Sequence, residues 1–169
     1  MLKKIPAGKR YIAALLLFAT ASHAPLAICA ETDTQDVPHV MDAFHDAVYA
    51  NDGKRLAALF IPEGSSWVSV LTDASFARLK AVQPGVTRIK VGSYQDFVKA
   101  VGASNGSFRP TRSNVVIQTD GSVASVYFDY VFVISGVEQN RGHETWQLVK
   151  GDDGWRISAI AYSSTPHPR

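Results

Sequence analysis

The chain has 169 residues, of which 46% are hydrophobic and 19% are charged, and its formal net charge is +2. This length suits one domain with a substantial core, and a single cysteine excludes a disulfide framework. The sequence has no glycine-rich phosphate loop, no Gly-x-Ser-x-Gly elbow and no internal repeat, which argues against nucleotide-binding, serine-hydrolase and solenoid classes.

The first thirty residues have the organisation of a secretory signal peptide. Four basic residues within positions 3–10 precede an apolar run over positions 11–18, and small residues follow up to Ala30. The apolar run is too short for a transmembrane helix, which needs about 20 such residues. We therefore expect residues 1–30 to be a cleaved signal peptide and the protein to be periplasmic or secreted.

Two alternatives for this segment are less favourable. Cleavage after Ala24 would leave Pro25 first, and a lipoprotein signal at Cys29 would require a small residue in place of Ile28. Removing residues 1–30 takes away four of the 17 basic residues and none of the 15 acidic ones, which leaves a formal charge of −2. That charge gives no reason to expect nucleic acid or a membrane as a partner of the mature chain.

Hydrophobic spacing predicts the helices of a domain spanning residues 37–165, after a polar and disordered segment over 31–36. A helix is predicted to follow Asp36 as N-cap and to end at Asn51-Asp52-Gly53. Its buried stripe is expected to be Val40, Met41, Phe44, Ala47 and Val48.

Three further segments follow in chain order. A short helix is predicted to bury Leu56, Leu59 and Phe60 and to stop at Pro62, and residues 67–71 read as a strand. Residues 72–92 are harder to assign, with a helical turn over 74–82 and a break at Pro84. Ser93 is predicted to cap another helix, which buries Phe97, Val98 and Val101.

The C-terminal half predicts four strands after a loop over residues 106–112. The strands are expected over 114–119, 122–134, 143–150 and 155–163. They are joined by Asp120-Gly121, a turn near Gly136 and the run Gly151–Gly154, which is the turn chemistry of hairpins. The predicted fold class is α+β, with helices packed on one face of a strongly curved antiparallel sheet.

Six stretches of the sequence form a pattern typical of one known superfamily: Phe44-His45-Asp46-Ala47, Asn51-Asp52-Gly53, Leu56-Ala57-Ala58-Leu59-Phe60, Asp120-Gly121-Ser122-Val123-Ala124-Ser125-Val126, Glu144-Thr145-Trp146 and Asp153-Gly154-Trp155-Arg156-Ile157. In these stretches the chain resembles the NTF2-like superfamily, also called SnoaL-like, with its cystatin-like α+β cone. The resemblance covers about residues 37–163, and the chain looks most like the secreted bacterial members without an assigned activity.

The resemblance implies a fold more than a chemistry. It implies a cone whose pocket opens between sheet and helices, and an outer sheet face that often forms a homodimer. The superfamily includes isomerases, dehydratases, ring-hydroxylase subunits and non-catalytic binding domains, so it selects no activity. Segment 72–92 is longer than the superfamily pattern and could form part of a lid.

The last hairpin predicts where the pocket lies. If Gly151–Gly154 is a four-residue loop, Trp146 faces Ala159 and Glu144 faces Ala161 on the inner side of the sheet. Two adjacent alanines in a close-packed interior must be covered by a large neighbour or border a space. We therefore expect a partly wet cavity lined by Trp146, Ala159 and Ala161, with Glu144 at its rim. The simpler alternative is a salt bridge from Glu144 to Arg141, Arg112 or another base.

The preceding strand supplies a second set of polar groups, and its orientation stays open. An even-numbered loop near Gly136 would place Asp129 and Tyr127 beside Glu144, which would pair two carboxylates. An odd-numbered loop would place Tyr130 and Phe128 there instead, a phenol beside a carboxylate. Candidate catalytic residues are thus Glu144, Asp129 and Tyr130.

Trp67 and Tyr127 complete the candidate pocket lining, although burial in the core is the simpler explanation of such aromatic residues. His143 is expected on the opposite face from Glu144, at the surface or an interface. His39, Asp42 and His45 form no zinc-like ligand set, and His45 is expected on the polar side of its helix. We therefore expect neither a metal nor a cofactor.

These observations support three hypotheses about function. The first, which we favour, is a domain that binds a small apolar molecule in the cone. The second is a cofactor-independent isomerase or dehydratase that uses a pocket carboxylate and a tyrosine. The third is an assembly module that dimerises through the face bearing Thr145, Gln147, Val149, Ser158 and Ile160 and keeps only a vestigial pocket.

Overall fold

A computed structural model describes residues 36–167, so the predicted signal peptide and the segment 31–35 lie outside the described residues. Within these described residues, four helices and six strands follow one another. Their bounds are α1 Val37–Tyr49, α2 Gly53–Ala57, β1 Ser66–Leu71, α3 Asp73–Val82, β2 Ile89–Gly92, α4 Tyr94–Gly102, β3 Phe108–Thr119, β4 Val123–Ile134, β5 Val137–Gly151 and β6 Gly154–Pro166. None of the described helices is both long and apolar enough to cross a membrane.

The helices begin and end where the local sequence predicts. The side chain of Asp36 accepts a hydrogen bond from the backbone N–H of His39 at 2.9 Å, which caps α1. The Ser93 hydroxyl accepts from the backbone N–H of Asp96 at 3.3 Å and caps α4. Segment 72–92 forms α3 and the edge strand β2, and that strand was not predicted.

The six strands form one sheet in the order β2-β1-β6-β5-β4-β3. β1 runs parallel to β6 and every other pair is antiparallel, so the all-antiparallel prediction is wrong for this one pair. α4 and the loop after it connect β2, at one edge of the sheet, to β3 at the other edge. The α+β class with helices on one face of the sheet is confirmed.

The predicted loop over 106–112 is wrong, because β3 already begins at Phe108. Pro110 lies inside this strand, opposite Phe132 of β4. A proline is compatible with a strand at the edge of a sheet, where its missing N–H has no ladder partner to lose. β3 is such an edge strand, which the sequence alone does not reveal.

Three β-bulges set the faces of the long strands. Gln139 of β5 is an extra residue opposite β4, and Ser158 of β6 is an extra residue opposite β5. A third irregularity lies in β3 near Asn114, which has a φ of +54°. Because side chains alternate along a strand, each extra residue exchanges the two faces beyond it.

The core lies between α1 and the concave face of β4, β5 and β6. Its largest fully buried side chains include Met41 from α1, Phe60 after α2, and Phe128, Trp146 and Ile160 from the sheet. Ile160 was predicted on the outer, dimer-forming face. That prediction is wrong, because the bulge at Ser158 turns Ile160 inward, opposite Trp146.

Candidate functional site

A cavity of about 200 Å³ lies between the helices and the concave face of the sheet. Helices α1 and α4 and strand β1 contribute three aromatic rings, those of Phe44, Phe97 and Trp67. Strands β4, β5 and β6 contribute five more, those of Phe128, Tyr130, Phe132, Trp146 and Tyr162. The wall is therefore predominantly aromatic.

Glu144 is the acidic residue of this wall. It lies on β5 between Phe128 of β4 and Tyr162 of β6, two residues before Trp146 on the same face. The indole Nε1–H of Trp146 donates to Glu144 Oε2 at 2.8 Å. Burial raises the pKa of Glu144 to about 7, although the hydrogen bond from Trp146 opposes this change.

The alternative explanation of Glu144 as a salt-bridge partner is not what the structure shows. Arg141 Nε lies 2.6 Å from Glu138 Oε1, and Arg112 pairs with Asp42. No arginine or lysine is among the described residues that line the cavity. Glu144 therefore faces the cavity without a positive partner from the described part of the chain.

Tyr130 also lines the cavity, but its hydroxyl is held within the sheet. It donates to the backbone carbonyl of Ser163 at 2.9 Å and accepts from Asn140 Nδ2 at 2.7 Å. Asn140 Oδ1 in turn accepts from the hydroxyl of Ser164 at 3.2 Å. Burial, and then the nearby negative charge of Glu144, raise the pKa of Tyr130 above its ordinary value. This phenol therefore joins β4, β5 and β6 and keeps its proton.

His45 lines the cavity from α1, and the prediction that it lies on the polar side of the helix is wrong. Its Nδ1 lies 2.8 Å from the carbonyl oxygen of Met41 and 2.6 Å from Arg112 Nη1. This nitrogen can form only one of these hydrogen bonds at a time. It donates to the Met41 carbonyl when it carries the proton, and it accepts from the Arg112 guanidinium when it does not. Burial lowers the pKa of His45 and the positive charge of Arg112 adds to this, so the ring is neutral at pH 7.

The structure places Asp129 and Tyr127 outside the cavity. Asp129 Oδ1 lies 2.5 Å from His143 Nδ1, and Asp129 Oδ2 accepts from Asn114 Nδ2 at 2.7 Å. The hydrogen bond from Asn114 is the main cause of a lowered pKa of Asp129. The Tyr127 ring stacks on the His143 ring with centroids 5.4 Å apart. All four groups lie on the outer face of the sheet, so Asp129 and Glu144 form no carboxylate pair.

A bulge decides between the two orientations of this strand. The turn after Ile134 has two residues, Ser135 and Gly136, both with positive φ, as in a tight hairpin. This even-numbered turn alone would place Tyr127 opposite Glu144. The extra residue Gln139 reverses the outcome and places Phe128 there instead.

Ala159 and Ala161 do not line the cavity, and the prediction that they face Trp146 and Glu144 is wrong. The register from Lys150 to Leu148 is as expected, with Leu148 opposite Ile157. Beyond the extra residue Ser158, Ile160 faces Trp146 and Tyr162 faces Glu144. The hollow beside Glu144 is therefore bounded by large aromatic rings, not by methyl groups.

Residues that sequence reasoning did not assign to the pocket are chiefly His45, Phe44, Phe97 and Tyr162. His45 follows Met41 by four residues, which places both on one side of a helix, so this signal was present. Tyr162 had no such signal, since its face depends on the bulge. Residues 72–92, considered as a lid, contribute nothing to the lining of this cavity.

The arrangement offers one acid, one neutral imidazole and little other free polarity within an aromatic wall. Within residues 36–167, no three His, Cys, Asp or Glu side chains are grouped to hold a metal ion. An apolar wall with few polar groups is typical of sites in other proteins that orient a small, largely apolar molecule.

No family model matches the sequence, and no curated protein sequence matches it either. Solved structures are similar in three dimensions. An NTF2-like protein of unknown function from Shewanella baltica superposes with a TM-score of 0.54 at 16% identity, covering 77% of this chain and 91% of its own. A protein with a cystatin-like fold and unknown function from Nostoc punctiforme gives 0.53 at 15% identity, covering 76% and 88%.

A third similar structure, from Novosphingobium aromaticivorans, is provisionally assigned as a scytalone dehydratase. It superposes with a TM-score of 0.57 at 16% identity, covering 78% of this chain and 86% of its own. The class defined by the sheet, the helices and the aromatic cavity is an α+β cone. The chain has the NTF2-like fold, and at these identities the likeness extends to the fold alone.

Proposed function

We propose that this protein binds one small, largely apolar molecule in the cone. The observation that carries this proposal is the cavity of about 200 Å³, which eight aromatic rings and one carboxylate border. Pockets for small molecules typically combine an apolar wall with few polar groups that fix orientation. An engineered cavity of about 150 Å³ accepts benzene, so a ligand built around one ring is the expected size.

The test fills part of the cavity with a larger ring. Phe97 of α4 lines the cavity with its ring against those of Phe44 and Trp67, whereas Phe76 of α3 lies outside it. Phe97→Trp should weaken binding of a one-ring probe such as benzyl alcohol, and Phe76→Trp should leave it unchanged. Saturation-transfer NMR detects the probe, and equal binding by both variants would overturn the proposal.

A second function, proton transfer without a cofactor, is favoured by Glu144. A carboxyl with a pKa of about 7 both accepts and donates protons near neutral pH. Tyr130 is a poor partner for this role, because its hydroxyl donates to the Ser163 carbonyl and holds its proton firmly. We therefore assign the proton transfer in this alternative to Glu144, with His45 as the other titratable group of the wall.

This second function has its own test. One-ring ketones in D₂O exchange their α-hydrogens for deuterium when a base removes them, and proton NMR follows the loss. The wild type and Glu63→Gln, a variant of an exposed glutamate, should then catalyse exchange, and Glu144→Gln should not. Undiminished exchange by Glu144→Gln would exclude the carboxyl as the base.

We also propose that the protein is exported and that residue 31 becomes its first residue. The support is the basic, apolar and small-residue order of residues 1–30. Intact mass measurement of the protein from the cell envelope fraction should give the mass of residues 31–169. Retention of residues 1–30 in that fraction would contradict cleavage.

A further inference from the structure

We propose that the ligand is a cation, namely a protonated or quaternary amine on an apolar body of about one ring. This inference rests on the proposed function, because it names the chemical class of the molecule in the same cavity. Three features of the wall support it: its aromatic character, an acid that has no positive partner among the described residues, and the internal hydrogen bonds of Tyr130 and Asn140.

The aromatic wall suits a positive charge. Aromatic rings surround the cavity of about 200 Å³ from both sides. Phe44, Phe97 and Trp67 line one side, and the aromatic residues of β4, β5 and β6 line the other. A cation within about 6 Å of an aromatic centroid is attracted by the ring quadrupole, and enclosure by several rings is how quaternary ammonium groups are recognised. In a space this small, any occupant lies near several rings at once.

The charge balance points the same way. Glu144 contributes the carboxylate of the wall, and its hydrogen-bond donor is the neutral indole of Trp146. The guanidinium of Arg112, which contacts the lining residue His45, is also engaged with Asp42. A carboxylate in an apolar site without a positive partner is unfavourable, so a cationic ligand would supply the missing partner.

Two of the other polar residues of the wall, Tyr130 and Asn140, are already engaged within the protein. Tyr130 donates to Ser163 and accepts from Asn140, and Asn140 accepts from Ser164. These hydrogen bonds lie within the sheet, so breaking them to bind a hydroxyl or carbonyl would cost what the new contact gains. Glu144 remains as the acceptor that a ligand ammonium group can use without displacing a protein partner.

Binding of a cation should also displace the proton of Glu144. The titratable groups that face this carboxyl are Tyr130 from β4, Tyr162 from β6 and His45 from α1, and none of them carries a positive charge at neutral pH. At pH 7 a carboxyl with a pKa of about 7 is roughly half protonated, and an ammonium group beside it favours the ionised form. Amine binding should therefore release protons at pH 7 and fewer at pH 8.5.

The experiment compares benzylamine with benzyl alcohol, which have the same ring and differ in charge. Isothermal titration of the exported form at pH 8.5 should give at least about tenfold tighter binding of the amine. Glu144→Gln should reduce amine binding to the level of the alcohol and leave alcohol binding unchanged. Glu63→Gln, which alters an exposed glutamate, should preserve the preference.

The possible results separate the inference from the proposed function. Equal or tighter binding of the alcohol overturns the inference that the ligand is a cation, and so does a preference for the amine that survives Glu144→Gln. Neither result contradicts the proposal that the cavity binds an apolar molecule. Failure of both probes to bind a folded protein overturns the pocket function and the inference together. Proton release on benzylamine binding at pH 7 can be measured by titration in two buffers that differ in their heat of ionisation. Such release supports the inference, and its absence contradicts the inference.

Discussion

The indole Nε1–H of Trp146 donates to Glu144 Oε2 across 2.8 Å, between two residues on the same face of one strand. Trp146 is fully buried, with its ring 4.8 Å from that of Phe44 and 5.4 Å from that of Phe128. The packing of the indole therefore fixes the position of the carboxyl. The core holds the acid of the cavity in place with a neutral donor, and no residue of the described range 36–167 gives it a counter-charge.

The first prediction concerns the pH dependence of stability. The pKa of Glu144 is about 7 in the folded protein and about 4.5 when unfolded, so the folded state holds the proton more tightly. Stability from this group is complete below pH 4.5 and is lost as the pH rises through 7, by at most about 3 kcal/mol. Glu144→Gln should keep an acceptor for Trp146 and lose this dependence, as urea unfolding at several pH values will show.

A matched control isolates that effect. Glu63→Gln removes a carboxyl that is exposed after α2, so its unfolding curves should follow the wild type at every pH. If the free energies of unfolding of the wild type and of Glu144→Gln instead change in parallel between pH 4.5 and 8, the Glu144 carboxyl is not the source of the pH dependence of stability.

The second prediction concerns Gly142, which lies opposite Tyr130 on β5. A Cβ here would lie 2.2 Å from the carbonyl oxygen of Ser163, the atom that accepts from Tyr130. Gly142→Ala should therefore displace β6 and cost about 1–3 kcal/mol or more, as overpacking does. Gly85→Ala is the control, because its Cβ would meet no atom within 4 Å. Equal thermal stability of the two variants would contradict the close approach.

The third prediction tests the electrostatics around His45. The guanidinium of Arg112 contributes to the lowered pKa of this imidazole, second to burial among the lowering causes. Arg112→Gln should raise the pKa of His45, which an NMR titration of the ring measures directly. Arg109→Gln serves as control, because Arg109 packs over the Tyr49 ring and donates to the Phe108 carbonyl. A pKa of His45 that Arg112→Gln lowers or leaves unchanged would refute this account.

The fourth prediction concerns the outer face of the sheet, for which we propose a second copy of this chain as partner. Val116 and Tyr127 are 54% and 46% exposed there, beside the uncharged Thr145 and Gln147. Such a face can bury apolar surface against its own copy, and the Asp129 carboxylate on the same face is paired with His143. Gln147→Arg should bring like charges together and shift sedimentation towards the monomer.

The control for that experiment is Gln95→Arg, which adds the same charge at an exposed position on α4. Gln95→Arg should sediment as the wild type does. A wild type that remains monomeric at high concentration, or a Gln147→Arg variant that sediments as Gln95→Arg does, would contradict the interface.

Local pattern alone determined most of the elements and their order, apart from the edge strand β2 and the start of β3. Asp36 and Ser93 cap helices because their side chains reach a backbone N–H three residues on, and the stripe from Val40 to Val48 needs only helical periodicity. The hairpins at Asp120-Gly121 and Gly151–Gly154 likewise follow from short-range turn chemistry. The approximate place of Glu144 and Trp146 on one inward face also came from the period of two.

Only the tertiary structure decided which other residues meet Glu144. A single extra residue at Gln139 excludes Asp129 and Tyr127 from the cavity, and another at Ser158 replaces Ala161 by Tyr162. A bulge has no reliable local signature, because it forms where strand curvature and packing against the helices require it. The alternation of side chains then amplifies that one-residue change into an exchange of faces along the rest of the strand, so the aromatic lining and its lone acid emerge only when the sheet closes on α1.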